Sequence, residues 1–255
     1  MVAEPEARSP FGVLIIHGFT ATLESVEALR KPLQEMGIPF CMPLLAGHGA
    51  TSPDALDGVG WEAWLKDAEL AFKDFSLEVE RVIVIGHSMG ALLALNLAVR
   101  YPKQVDSLIL ATPALRLVSL LAPGRPLHFA ARLVSMMIKK WDLKSDLQEL
   151  RPQCLAPHYA WVPTNAILSL FDLIRTTERL LDQVNVPFMI LHNRKEATVL
   201  PNSATLLCNR AATFPEERSI VWFERSGHQI FCDCERDKAV RTIMTYIADR
   251  TGRKE

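Results

Sequence analysis

Gly86-His87-Ser88-Met89-Gly90 is a G-x-S-x-G that directly follows the apolar run RVIVIG (81–86) and directly opens a helical pattern, ALLALNLAVR (91–100). In that setting the serine sits on a strained strand-to-helix turn, and glycines two before and two after leave room for strand and helix to approach. The same residues could instead be a Gly-flanked N-cap serine. A serine hydroxyl is a weak nucleophile at neutral pH, so the chemical reading requires a base within hydrogen-bond reach.

The chain has seven histidines. His228, in FERSGHQIF, falls in the loop after the last apolar run, at the carboxyl edge of a sheet, where open α/β folds bind ligands. His17, His48, His87, His128, His158 and His192 are the alternatives. On the turn beside the nucleophile, the His87 side chain points away. His17 and His192 end strands and serve local backbone or core partners. His228 is the expected base.

The base in turn needs a carboxylate to fix its tautomer and stabilise its cation. That acid comes after the serine and before the histidine, in a loop at a strand's carboxyl end. Two loops qualify. TPALRLVSLLAPGR (112–125) has no Asp or Glu, and in VPFMILHNRKEATVLP (186–201) the single carboxylate is Glu196. Asp172, Glu178 and Asp182 fall on a predicted helix, and Asp233 lies beyond the histidine. Elimination leaves Glu196, whose alternative is an ordinary loop residue. The last requirement is an oxyanion hole of two backbone N–H groups, one from Met89, after the nucleophile, and one from Phe19, in the turn LIIHGFTAT after the first strand.

These residues need a scaffold that brings loop ends together. Short β-branched runs at 11–17, 39–43, 81–86, 105–111, 186–192 and 219–224 alternate with helical patterns at 24–36, 60–79, 89–100, 202–212 and 233–249. This predicts an α/β fold, about six mostly parallel strands with helices on both faces. Residues 113–185 carry no strand signal. They hold apolar helical patterns, LHFAARLVSMMIKKW and TNAILSLFDLIRTTERLL, broken by Pro123, Pro126, Pro152, Pro157 and Pro163, and are expected to form an inserted helical subdomain between core segments 1–112 and 186–255.

The 255 residues are 49% hydrophobic with a formal charge of −1, enough for a large core and without a global bias toward nucleic acid or membrane surfaces. The acidic start, MVAEPEARSP, has no apolar h-region, and no stretch is long enough to span a bilayer, so a cytoplasmic protein without stable membrane insertion is expected. Cys41, Cys154, Cys208, Cys232 and Cys234 imply no disulfide framework. The CDC at 232–234 lacks the companions of a metal site, so mostly buried thiols are expected, with no metal or organic cofactor.

HGFTAT, PLLAGHG, IGHSMG, VPFMILHNRKEATV and ERSGH, in this order over nearly the whole chain, resemble the α/β-hydrolase superfamily, most of all its bacterial carboxylesterases and monoacylglycerol lipases. The resemblance implies an α/β-hydrolase fold with a helical cap over an acyl pocket. It also implies Ser88 as nucleophile, His228 as base, and Phe19 and Met89 as oxyanion hole. Gly47-His48-Gly49 would sit near the site without joining it. One departure stands out: the superfamily commonly has Asp where this chain has Glu196, and the extra methylene asks the loop to retreat by on the order of 1.5 Å. The expected activity is hydrolysis of a small-molecule ester with a short- to medium-chain acyl group, through an acyl-enzyme. The same constellation serves thioesterases, lactonases, aryl esterases, acyltransferases and perhydrolases, and a non-catalytic ligand-binding protein would look similar.

Overall fold

The apolar runs become strands because every second residue faces a different buried layer. In strand β1 (Ser9–Ile16), Leu14 and Ile16 join one core while Val13 and Ile15 join the other. The same split recurs for Val84 against Ile83 and Ile85 in β3 (Val79–His87), and for Leu108 and Leu110 against Ile109 in β4 (Val105–Ala111). A strand covered on both faces reads as continuous hydrophobicity rather than alternation. These strands lie in a computed structural model that describes residues 8–143 and 159–252.

With β2 (Phe40–Cys41), β7 (Phe188–Asn193) and β8 (Arg218–Phe223), they form one six-stranded sheet in the order β2-β1-β3-β4-β7-β8, parallel throughout. The order turns back on itself between β1 and β3, so the loops after these two strands diverge and open a crevice at the carboxyl edge. One face is covered by α2 (Trp61–Phe75), α3 (Met89–Arg100), α5 (Thr164–Leu180) and α6 (Asn202–Arg210). The other is covered by α1 (Arg30–Glu35) and α7 (Arg236–Thr251).

Several elements differ from their sequence expectation. The helix expected over 24–36 is a 3-10 segment, Leu23–Leu29, followed by the six residues of α1. Pro32 explains the break: it lacks an N–H and its ring collides with the carbonyl four residues back, so it is tolerated only in a first turn. Residues 76–78 are not helical, and β3 starts two residues before its expected onset. The insertion between β4 and β7 is not wholly helical. It contains α4 (Ala131–Met137) and α5, but also an antiparallel pair, β5 (Lys140–Asp142) with β6 (Trp161–Pro163). Three-residue strands are too short to leave a periodic signal.

The inner face of α5, with Leu173 and Ile174, is packed into the sheet's own core. The helix is tied to α3 by a 2.8 Å hydrogen bond from Asn96 Nδ2 to Thr177 Oγ1, and to the strand-β4 loop by a two-pronged Arg116–Glu178 ion pair. Among the described cysteines only Cys232 is buried. Cys41, Cys208 and Cys234 are half-buried, and Cys154 lies outside the described residues, as does His158. No described helix is long and apolar enough to cross a membrane.

Candidate active site

Ser88 occupies the hinge between β3 and α3 with φ 54° and ψ −110°, a conformation that an L-residue adopts only under constraint. The constraint is the close crossing of backbones around it. A Cβ on Gly90 would lie 2.6 Å from the His17 carbonyl oxygen and closer still to that of Ile16. One on Gly86 would lie 2.5 Å from the Ala91 nitrogen. Gly90 is thus required by the packing of α3 against the end of β1, and Gly86 by the close approach of β3 to the first turn of α3, and the serine is left at the sheet's carboxyl edge.

Loops from three strands meet there. His228, after β8, lies 2.9 Å through Nε2 from Ser88 Oγ, and its Nδ1 lies 3.1 Å from Oε1 of Glu196, after β7. The Glu196 side chain is wholly buried. Its Oε1 also accepts the N–H groups of Thr198 and Val199 at 3.0 and 3.1 Å. Burial alone would push this carboxyl up. The His228 charge, the hydrogen bond to the ring and the two backbone N–H groups outweigh it and bring the pKa down to about 2. The carboxylate thus folds back over its own turn.

The other described histidines have structural surroundings. His17 Nδ1–H donates to the Gly18 carbonyl at 2.8 Å while its Nε2 accepts the Leu45 N–H at 3.2 Å, a neutral ring whose burial lowers its pKa to about 4 against that backbone bond. His192 contacts the Asn193 carbonyl through Nδ1 at 3.1 Å, and His128 the Leu121 carbonyl at 2.9 Å. His87 does point away from the nucleophile, with Nε2 3.0 Å from the backbone carbonyl of His228. His48, between Gly47 and Gly49 at φ 76° and 72°, packs 4.9 Å from the His17 ring and 6.2 Å from Phe19.

Met89 is the first residue of α3, a position whose N–H has no partner within the helix, and its side chain is buried in the core. Phe19 follows β1 and packs on Trp64 at 5.5 Å. Sequence reasoning missed two neighbours of this turn. Thr20 carries φ 62°. Tyr159 donates its backbone N–H to the Thr20 carbonyl at 3.2 Å, while its hydroxyl donates to the Gly47 carbonyl at 2.9 Å and accepts the Ala50 N–H at 3.0 Å. No residue pattern signals bonds made to backbone groups.

Ser88 and His228 open onto a cavity of about 450 Å³. Its walls are largely apolar and come mainly from the insertion, including Leu117, Leu121, Val134, Trp141, Ile167 and Phe171, with scattered hydroxyls and the Gln229 amide. No carboxylate lies among the described lining residues. Nor do the described residues include a group of three or more His, Cys, Asp or Glu placed to hold a metal ion. The arrangement suits transfer of an uncharged acyl group to and from a serine.

A family model described as serine aminopeptidase, S33, matches residues 10–235. A thermostable monoacylglycerol lipase of Bacillus sp. (strain H-257) is 26% identical over 253 residues, covering 98% of this chain and 96% of its own length. A carboxylesterase of Bacillus subtilis (strain 168) is 26% identical over 239 residues, covering 92% and 91%. Among solved structures, one from a description of the metagenome-derived lipolytic enzymes LipS and LipT superposes with a TM-score of 0.85 over 95% of both chains at 24% identity.

Proposed function

The chain belongs to the hydrolase family described as serine aminopeptidase, S33, and from that premise we propose that it is a serine carboxylesterase for small neutral esters with short- to medium-chain acyl groups. The observation that carries the proposal is the line from Glu196 through His228 to Ser88, with spacings of 3.1 and 2.9 Å, ending at the mouth of an apolar cavity. Ser88 Oγ attacks the ester carbonyl as His228 Nε2 takes its proton. The ionised Glu196 keeps the other ring nitrogen protonated and stabilises the imidazolium. The N–H groups of Phe19 and Met89 receive the developing oxyanion. His228 then gives the proton to the leaving alcohol and activates a water molecule to release the acid.

Segment 113–185 acts in this reading as the cap that shapes the acyl pocket. The cavity favours esters over the peptides that the family description names. A substrate with a free amino terminus would bury an ammonium ion against apolar and hydroxyl groups, which is costly without a charged partner. The names of the monoacylglycerol lipase and carboxylesterase relatives support the same substrate class.

The test is a series of p-nitrophenyl esters of increasing acyl length with the wild type and Ser88→Ala. Each methylene buried adds about 0.8 kcal/mol, close to fourfold in binding, until the cavity is full. kcat/KM should therefore rise from acetate to a medium chain and then fall, and Ser88→Ala should lose on the order of a thousandfold or more. A Ser88→Ala variant keeping a tenth of the activity would move the nucleophile elsewhere. A steady decline from acetate onward would remove the acyl pocket from the proposal.

A further inference from the structure

The segment CDCE at 232–235 has no part in the chemistry above, yet its two carboxylates grip the loop that carries His228. Glu235 Oε2 accepts three consecutive backbone N–H groups, from Glu224 at 3.1 Å, Arg225 at 2.8 Å and Ser226 at 3.0 Å. The next N–H, of Gly227, goes to Asp233 Oδ2 at 2.8 Å. Asp233 is fully buried and its Oδ1 accepts the Cys234 N–H at 2.7 Å, which fixes the side chain. The Glu235 N–H donates back to Ser226 Oγ at 3.0 Å, so loop and helix start are bonded in both directions. Four successive amides leading to His228 are thus held by two carboxyl groups.

We propose that Glu235 and Asp233 are positioning residues that set the distance from His228 Nε2 to Ser88 Oγ. This rests on the assignment of those two residues in the preceding section. His228 has no strand or helix of its own; it sits in a bend between β8 and α7, where the backbone has no ladder to define its path. Glu235 stays ionised in this role. Burial raises its carboxyl, but the backbone N–H groups and nearby Lys238 hold it below the ordinary range. With the clamp released, the loop keeps its residues but loses the geometry that general acid–base catalysis needs.

A mispositioned base has a kinetic signature that loss of folded enzyme lacks. p-Nitrophenolate departs without a proton, whereas an alkoxide must take one from His228, so displacement of the ring penalises alkyl esters more. The experiment compares p-nitrophenyl butyrate with ethyl butyrate for the wild type, Glu235→Ala, Glu235→Gln, Asp233→Asn and His228→Ala. Active molecules are counted by stoichiometric phosphonylation of the serine. Glu235→Ala should lower kcat/KM per active molecule, which reports the acylation step in which the two esters differ, about tenfold or more further for the ethyl ester than for the aryl ester.

Glu235→Gln, which keeps an acceptor oxygen for the three N–H groups, should recover most of that loss. If Glu235→Ala fails to fold, the same comparison is made on Asp233→Asn, which must give up one of its two backbone bonds. Equal losses for both esters, or full activity per active molecule, would overturn the positioning role. Retention of activity by His228→Ala would instead overturn the assignment of the base.

Discussion

Glu196→Gln removes one charge and leaves the side chain's size nearly unchanged, so its effect can be worked from the geometry. The drop in the Glu196 pKa from 4.5 to about 2, at 1.36 kcal/mol for each factor of ten, means that its surroundings favour the ionised form by about 3 kcal/mol. A large part of this preference comes from the charge of His228. The attraction is mutual, so the carboxylate favours the imidazolium formed when the ring takes the Ser88 proton. Loss of that attraction, at most about 3 kcal/mol in the transition state, lowers kcat by up to on the order of a hundredfold.

Orientation should survive the same substitution. A single oxygen, Oε1, contacts His228 Nδ1 and accepts the N–H groups of Thr198 and Val199, while Oε2 is buried with no hydrogen-bond partner among the described residues. A glutamine with its carbonyl at the Oε1 position keeps all three contacts and loses the charge alone, at a stability cost of about 1–3 kcal/mol for the buried, unpaired amino group. Glu196→Ala loses both charge and orientation and should fall by roughly a thousandfold to ten-thousandfold. The assay is kcat for p-nitrophenyl butyrate, with urea unfolding at pH 7 as the stability control. A Gln variant within about threefold of wild type, or as inactive as the Ala variant, would refute the division into charge and orientation.

Gly90→Ala forces a Cβ to within 2.6 Å of the His17 carbonyl oxygen, against backbone that cannot yield. It should cost about 3 kcal/mol in urea unfolding and displace Ser88, with activity falling alongside. Acid pH should destabilise the fold through His17, whose pKa is about 4 in place of 6.5. The unfolded chain takes up that proton first, so the loss begins near pH 6.5 and levels off below about 4, where it reaches about 3 kcal/mol. His192, also lowered by burial, acts in the same direction. A urea midpoint that stays flat from pH 7 to 5 would contradict this. Glu196 contributes in a lower window: its stabilisation is complete above 4.5 and is lost as pH falls toward 2, so the midpoints of wild type and Glu196→Gln should converge across that range.

What was legible in the sequence follows from what leaves a pattern. Leu14 and Ile16 on one face with Val13 and Ile15 on the other produced an unbroken apolar run, because both faces of the sheet are buried. Pro32 carried a signal for the break between Leu23–Leu29 and α1, but the apolar spacing across it favoured one helix. Lys140–Asp142 and Trp161–Pro163 pair over three residues each, too few for any period to register.

The site divides along a similar line. Ser88 and Glu196 each contact His228 through side chains, and the proposed chemistry asks for those residue types, so order along the chain and elimination were enough to nominate them. Glu235, Asp233 and Tyr159 act on backbone N–H and carbonyl groups, which every residue but proline supplies. A carboxylate that binds the amides of residues 224–226 would bind them equally well with other side chains at those positions, so nothing in the partner's identity marks the bond. The same reasoning explains how Glu can stand where Asp is common: the Glu196 turn is closed by the amides of Thr198 and Val199, and a backbone bond of that kind adjusts to one more methylene by a shift of the loop.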